Sequence, residues 1–215
     1  MADWELAVRG AVAVLTFARP PRNFMTAAAM AELGERLTGL AERDDVALVL
    51  LTGGVPGYFV AHADLEELGR LGRGEPLDAD PRSWNRTLRL IEEMPQPVIA
   101  AINGQCWGGG CELALACTVR IAAESATLAQ PEVAAGIIPG AGGTQRLPRA
   151  VGPGRAFELI LSGRIVDARE AAAIGLVQLV LPDVDFPEAA VQWAEGIAAR
   201  PRIALVAAKR AVRED

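Results

Sequence analysis

Val98-Ile99-Ala100-Ala101-Ile102, then Asn103-Gly104, then Gly108-Gly109-Gly110-Cys111-Glu112-Leu113-Ala114-Leu115-Ala116 is the stretch on which the reading of the fold turns. Its first five residues are apolar throughout, as a strand covered on both faces requires, and Asn103-Gly104 breaks the run. The glycines then lead into an apolar helix over 112–116. A strand, a glycine turn and a helix in that order build ligand sites, because the first backbone N–H groups of a helix have no intrahelical acceptor.

The same alternation extends in both directions. Residues 46–52 read as another covered strand closed by Gly53-Gly54. Before it, Thr26 caps a helix ending near Arg43, whose apolar residues Met30, Leu33, Leu37 and Leu40 recur at steps of three and four. Segments 4–8 and 11–17 form a hairpin split by Arg9-Gly10. Residues 64–71 and 83–94 read as helices around a polar, proline-bearing stretch, 72–81, expected to be a flexible flap. Downstream, 119–122 and 176–181 read as strands, and 187–199 and 202–213 as helices. The class is α/β with largely parallel pairing.

Composition bounds the rest. The chain has 215 residues, of which 51% are hydrophobic and 22% charged, enough for one compact domain that buries roughly 70% of its unfolded surface. A mean hydropathy of +0.23 excludes disorder. The net charge of −6 argues against a nucleic-acid partner. No apolar run reaches the roughly 18 residues of a membrane span, and the amino end lacks the pattern of a signal peptide, so no membrane partner and a cytoplasmic location are expected. Cys106, Cys111 and Cys117, spaced 5 and 6 apart, match neither a zinc pair nor a disulfide framework and read as reduced core thiols.

Few residues invite chemistry. The Gly108–Gly110 run reads either as an anion site at a helix N-terminus or as a tight turn needing positive φ. Glu112 opens the apolar helix, and Glu132 follows 20 residues later among small and apolar neighbours. Singly each reads as a surface or dipole-stabilising charge; together they make a pair for general acid and base work. Pro139-Gly140-Ala141-Gly142-Gly143-Thr144 is a second glycine loop opening a helix, with Thr144 as its cap. His62, the only histidine, has Asp64 nearby as an orienter, but no nucleophile motif accompanies them.

Three segments carry a resemblance to a known family. They are 97–104, then Trp107-Gly108-Gly109-Gly110-Cys111-Glu112-Leu113-Ala114, then Gln130-Pro131-Glu132 continuing through Gly136 to Leu147, with a tail from Leu161-Ser162-Gly163 to Gly175-Leu176-Val177. Nearly end to end the chain resembles the enoyl-CoA hydratase/isomerases, the crotonase superfamily. The resemblance implies a crotonase-like spiral of ββα units with carboxyl-terminal helices: a spiral core over 1–200 and the start of a shortened helical region over 201–215. It implies an acyl-CoA substrate, an oxyanion hole from the Ala61 and Gly109 amides, and Glu112 and Glu132 as catalytic acid and base. Ala63, Asp64, Gly108 and Gly140 would contact substrate, the Gly140 amide positioning the attacking water. No metal or redox cofactor is implied, coenzyme A being part of the substrate, and homotrimers or hexamers are expected.

The implied activity is hydration of trans-2-enoyl-CoA, since both glutamates are present. An enoyl-CoA isomerase or other acyl-CoA-transforming relative, and a catalytically idle acyl-CoA binder, stand as alternatives. Two departures are visible: His62 stands where the family usually has glycine, and Arg19-Pro20-Pro21-Arg22-Asn23-Phe24-Met25-Thr26 stands where relatives usually show Asn-Ala-Leu after a basic residue.

Overall fold

The computed structural model describes residues 3–213. The chain opens as the expected hairpin, β1 (Trp4–Arg9) antiparallel to β2 (Val12–Phe17), with Gly10 at φ +56° in the turn. Helix α1 (Ala27–Ala41) starts at the Thr26 cap, whose hydroxyl accepts from the Ala29 amide at 3.1 Å. Met30, Leu33, Leu37 and Leu40 are all buried, so the spacing read from the sequence is the inward face.

A spiral follows, each turn placing a strand in a large sheet, a strand in a small sheet, and then helices. β3 (Leu48–Gly53) and β4 (Gly57–Tyr58) lead to α2 (Leu65–Gly72) and α3 (Ser83–Glu93). β5 (Val98–Ile102) and β6 (Gly104–Trp107) lead to α4 (Gly109–Ala116). β7 (Val119–Ala123) and β8 (Thr127–Ala129) lead through a 3-10 turn (Glu132–Ala135) to α5 (Gly143–Val151) and α6 (Pro153–Ser162). β9 (Val166–Asp167), α7 (Ala168–Ala173), β10 (Leu179–Leu181), α8 (Phe186–Ala198) and α9 (Arg202–Arg213) complete the described chain. The sheet orders, β1-β2-β3-β5-β7-β10 and β4-β6-β8-β9, climb one position per turn in both sheets. Pairing is parallel along β2-β3-β5-β7-β10 and along β4-β6-β8.

This is the expected ββα spiral, and the crossings between sheets bring the ends of β6 and β8 together at the start of α4, where the Gly108 amide donates to the Ala129 carbonyl. The small sheet itself has no counterpart in the reading from apolar runs, because its strands are two to four residues long. The strand expected over 176–181 is confined to Leu179–Leu181. Gly175, at φ +80°, turns the chain off α7, and the Leu176 and Val177 amides both donate to the Ala171 carbonyl, as a helix C-terminus requires. Segment 73–82 carries no helix or strand. At the carboxyl end, the buried Lys209 ammonium donates to the carbonyls of Ile91, Met94 and Gln96 at 3.0, 2.7 and 2.9 Å, fastening α9 over the end of α3.

Candidate active site

Helix α4 begins three residues earlier than its apolar run suggests, at Gly109, which puts Glu112 in its first turn. Gly108 sits at φ +52° and donates its N–H to the Ala129 carbonyl at 2.9 Å, so the strand-to-helix turn needs a residue without a Cβ. A Cβ on Gly109 would lie 2.8 Å from the Trp84 indole of α3 and 3.2 Å from the Ala63 Cβ. The glycine run is therefore the tight turn needing positive φ. It also brings the Gly109 N–H, which has no acceptor among the described residues, beside Ala63.

The donor opposite Gly109 is displaced by two residues from expectation. The Ala61 N–H donates to the Asn23 carbonyl at 3.1 Å, which removes it from any oxyanion role. Ala61 is fully buried, whereas Ala63 lines the cavity and its N–H has no acceptor among the described residues. Short-range pairing of this segment with Asn23 and Met25 decides which amides stay free: His62 O accepts from Met25 and Met25 O from Asp64, leaving the intervening Ala63 N–H unpaired. Asn23 anchors this register. At φ +55° it donates from its side chain to the carbonyls of Phe17 and Phe59 at 2.9 and 2.7 Å and accepts from the Arg19 amide at 2.8 Å. Asparagine tolerates that backbone region, and this was the signal within the irregular 19–26 motif.

Asp64 is likewise reassigned. Its carboxylate accepts from the Glu66 and Glu67 amides as the cap of α2 and meets Arg19 at 3.3 Å, and it does not line the cavity between the glutamates. It orients no histidine. The His62 ring stacks on Phe24, centroids 4.2 Å apart, and its Nδ1 lies 2.6 Å from the Ala63 carbonyl. His62 thus braces the segment that carries the Ala63 amide. We expect His62→Gly to retain turnover within about threefold, because the backbone bonds of Met25 to His62 and Asp64 already hold this segment and the net worth of one hydrogen bond is only about 1 kcal/mol; steady-state kinetics check it, and loss of most activity would give the imidazole a direct part.

Glu112 and Glu132 converge on one cavity of about 560 Å³ that His62, Ala63, Trp84, Gly109 and Gly140 also line. Glu112 is buried and accepts from the Gly143 N–H at 2.7 Å. The second glycine loop therefore serves the first glutamate directly. Its helix cap is Gly142 and not Thr144, since α5 already starts at Gly143. Burial pushes the Glu112 carboxyl up, while the backbone at Gly143 and Ala141 and the Arg146 charge pull it back. Glu132 is pushed up to about 7, first by burial and further by the Glu112 charge, against the pull of its own backbone amide. The carboxamide of Gln130, which is buried, lies 2.9 and 3.1 Å from the two Glu132 oxygens and donates to both with its nitrogen turned toward them. The Gly140 N–H has no acceptor among the described residues, and Gly108, at the cavity floor, contributes its fold and not its amide. Cys106, Cys111 and Cys117 are free, buried thiols.

Two carboxyls of unequal acidity lie beside the N–H groups of Ala63 and, at the start of α4, Gly109, neither of which has an acceptor among the described residues, an arrangement suited to proton transfer next to a developing anion. The sequence profile of the enoyl-CoA hydratase/isomerase family matches residues 7–215. A putative enoyl-CoA hydratase/isomerase of Bacillus subtilis, YngF, is 43% identical over 204 residues, 94% of this chain and 78% of the relative. The 2,3-dehydroadipyl-CoA hydratase of Escherichia coli is 40% identical over 205 residues, again 94% and 78%. The crystal structure of an enoyl-CoA hydratase from Bacillus anthracis superposes with a TM-score of 0.90 at 42% identity, covering 98% of this chain and 82% of that one. The chain belongs to the enoyl-CoA hydratase/isomerase family.

Proposed function

We propose that the protein hydrates trans-2-enoyl-CoA thioesters to 3-hydroxyacyl-CoA. The observation that carries this reading is the convergence of Glu112, Glu132 and the free amides of Ala63 and Gly109 on one cavity. Addition of water to the double bond builds enolate charge on the thioester oxygen, and the two N–H groups with the α4 dipole stabilise it where it develops. Glu112, favoured as the carboxylate by the Gly143 amide, takes a proton from water as its oxygen bonds to the β-carbon. Glu132, the weaker acid of the pair, delivers its proton to the α-carbon, and a proton passing from Glu112 back to Glu132 restores the site. Gly140 offers an amide to the water. The scheme uses no metal or redox group. Loss of the enoyl absorbance of crotonyl-CoA tests the reading; binding without that loss contradicts it. The relatives named as a crotonyl-CoA hydratase from Syntrophomonas wolfei, 43% identical, and as the Escherichia coli enzyme support it.

The same reading includes assembly of copies into trimers or pairs of trimers. Phe157 and Leu161, one turn apart on α6, are 67% and 71% exposed, which supports an apolar face for self-association. Sedimentation of the protein tests this, and a monomer at all concentrations contradicts it. A reducing, cytoplasmic setting fits the free thiols. No helix among the described residues is long and apolar enough to cross a membrane.

The acyl group is expected to be uncharged. Among the described residues the cavity lining contains two glutamates and no lysine or arginine, while Trp84, Leu68 and Ile137 make its walls apolar. A carboxylate on the acyl tail meets like charge and no counterion. Hydration of trans-2-hexenoyl-CoA should exceed that of 2,3-dehydroadipyl-CoA by at least about tenfold in kcat/KM, the scale at which an unpaired charge discriminates. Equal rates on the two would contradict this.

A further inference from the structure

Arg146 of α5 lies outside the cavity, yet it holds the loop that serves Glu112. Its guanidinium takes Glu92 of α3 in two parallel bonds, Nε to Oε1 at 2.8 Å and Nη2 to Oε2 at 2.9 Å. The remaining Nη1 donates to the Ala141 carbonyl at 2.8 Å, and the Arg146 amide donates to the Gly142 carbonyl at 2.9 Å. Gly142 sits at φ +102°, and a Cβ there would overlap the guanidinium, so loop and side chain touch with no space between them. One residue further, the Gly143 amide meets the Glu112 carboxylate. An unbroken series of contacts thus runs from Glu92 through Arg146 and the 141–143 loop to a carboxylate of the site.

We propose that Arg146, clamped by Glu92, is the positioning residue of Glu112: it fixes the 141–143 loop so that the Gly143 amide aims at the carboxylate, and it supplies a positive charge behind that loop. Only the kinetic part of this inference rests on the hydration reading. Arginine suits the task because three contacts are made by one planar group, which a lysine cannot reproduce. Among the described residues the charged and titratable groups facing Glu112 are Glu132 from the 3-10 turn, Arg146 from α5, the Cys111 thiol of its own helix, which burial holds protonated with its value pushed up to about 12, and His62 across the same cavity. Arg146 is the guanidinium of this set, and Glu92 pairs with it.

Three variants test the clamp. Arg146→Gln should lower kcat for crotonyl-CoA by about 10- to 100-fold with KM changed less than about threefold, since a misaimed catalytic group affects the reacting step more than binding. The acidic limb of kcat/KM should move to higher pH by about half a unit to one unit, because Glu112 loses a charge favouring its ionised form. Arg146→Lys should return the limb toward its original pH but restore only part of kcat; Glu92→Gln should lower kcat and leave the limb in place. A folded Arg146→Gln protein with kcat within about twofold of the parent and an unmoved limb overturns the proposal. If Arg146→Gln does not fold, the same readouts on Arg146→Lys and Glu92→Gln decide: unchanged kcat in both overturns it. Infrared titration of carbon-13-labelled glutamate, with Glu112→Gln identifying the band, follows the Glu112 carboxyl without turnover. If the parent fails to hydrate crotonyl-CoA, the functional reading fails while this titration still judges the clamp: an upward shift without the Arg146 charge supports it, and no shift overturns it.

Discussion

Replacing either Glu112 or Glu132 with glutamine should lower hydration of crotonyl-CoA at least about 100-fold, the usual contribution of a positioned acid or base. Folding should survive both changes. A glutamine at 112 still presents an oxygen to the Gly143 amide, so the buried donor keeps its acceptor. At 132 the effect on stability is expected to be favourable in mild base. The Glu132 value is raised to about 7 by burial, so the native state holds a proton that the unfolded chain releases above the ordinary carboxyl range, and stability falls as pH rises from about 4.5 to about 7. Glutamine removes that loss. Activity and stability should therefore move in opposite directions at pH 8, a combination that general misfolding does not produce. The parent's kcat/KM should fall as pH rises through about 7, where Glu132 loses its proton, and fall again in acid, where Glu112 gains one. Stopped assays across pH and thermal melts of the variants check this; hydration within about fivefold of the parent by either variant would remove the two-carboxylate scheme.

Removing a single N–H separates the two candidate oxyanion donors. Replacement of Ala63 by its α-hydroxy analogue converts one amide to an ester without changing a side chain, and should lower kcat by about 100- to 1000-fold, the range for loss of one oxyanion donor. The same exchange at Ala61 should leave kcat nearly intact and cost stability instead, about 1 kcal/mol for the lost bond to the Asn23 carbonyl. The reverse pattern would return the role to Ala61. Chemical denaturation alongside the kinetics reads both halves of the comparison.

Much of this architecture was legible from residue pattern because the large sheet is built from covered strands. Residues 48–51 and 98–102 are buried on both faces, and their unbroken apolar runs announce it. The small sheet left no such mark: β4 and β8 are too short for alternation and contain residues no different from loop residues. At the site, Glu112 and Glu132 stood out because carboxylates in apolar company are uncommon. The choice between Ala61 and Ala63 could not be made that way, since it depends on which N–H the neighbouring 23–25 segment already occupies, and two alanines carry no side-chain signal. Asp64 misled for a related reason: a cap and a ligand-binding carboxylate look alike until the α2 amides are in place. The Arg146–Glu92 pair joins residues 54 apart and is visible only once α3 and α5 are packed together.

The central claim, that this site adds water across an enoyl thioester, is tested most directly by incubating the protein with crotonyl-CoA in oxygen-18 water and locating the label by mass spectrometry. Hydration predicts loss of the enoyl absorbance and one heavy oxygen at carbon 3 of 3-hydroxybutyryl-CoA, with the Glu112→Gln and Glu132→Gln proteins giving little of either. Crotonyl-CoA bound but unchanged, together with conversion of a trans-3-enoyl-CoA to its trans-2 isomer without label, would contradict hydration and assign the two carboxyls to proton transfer between carbons.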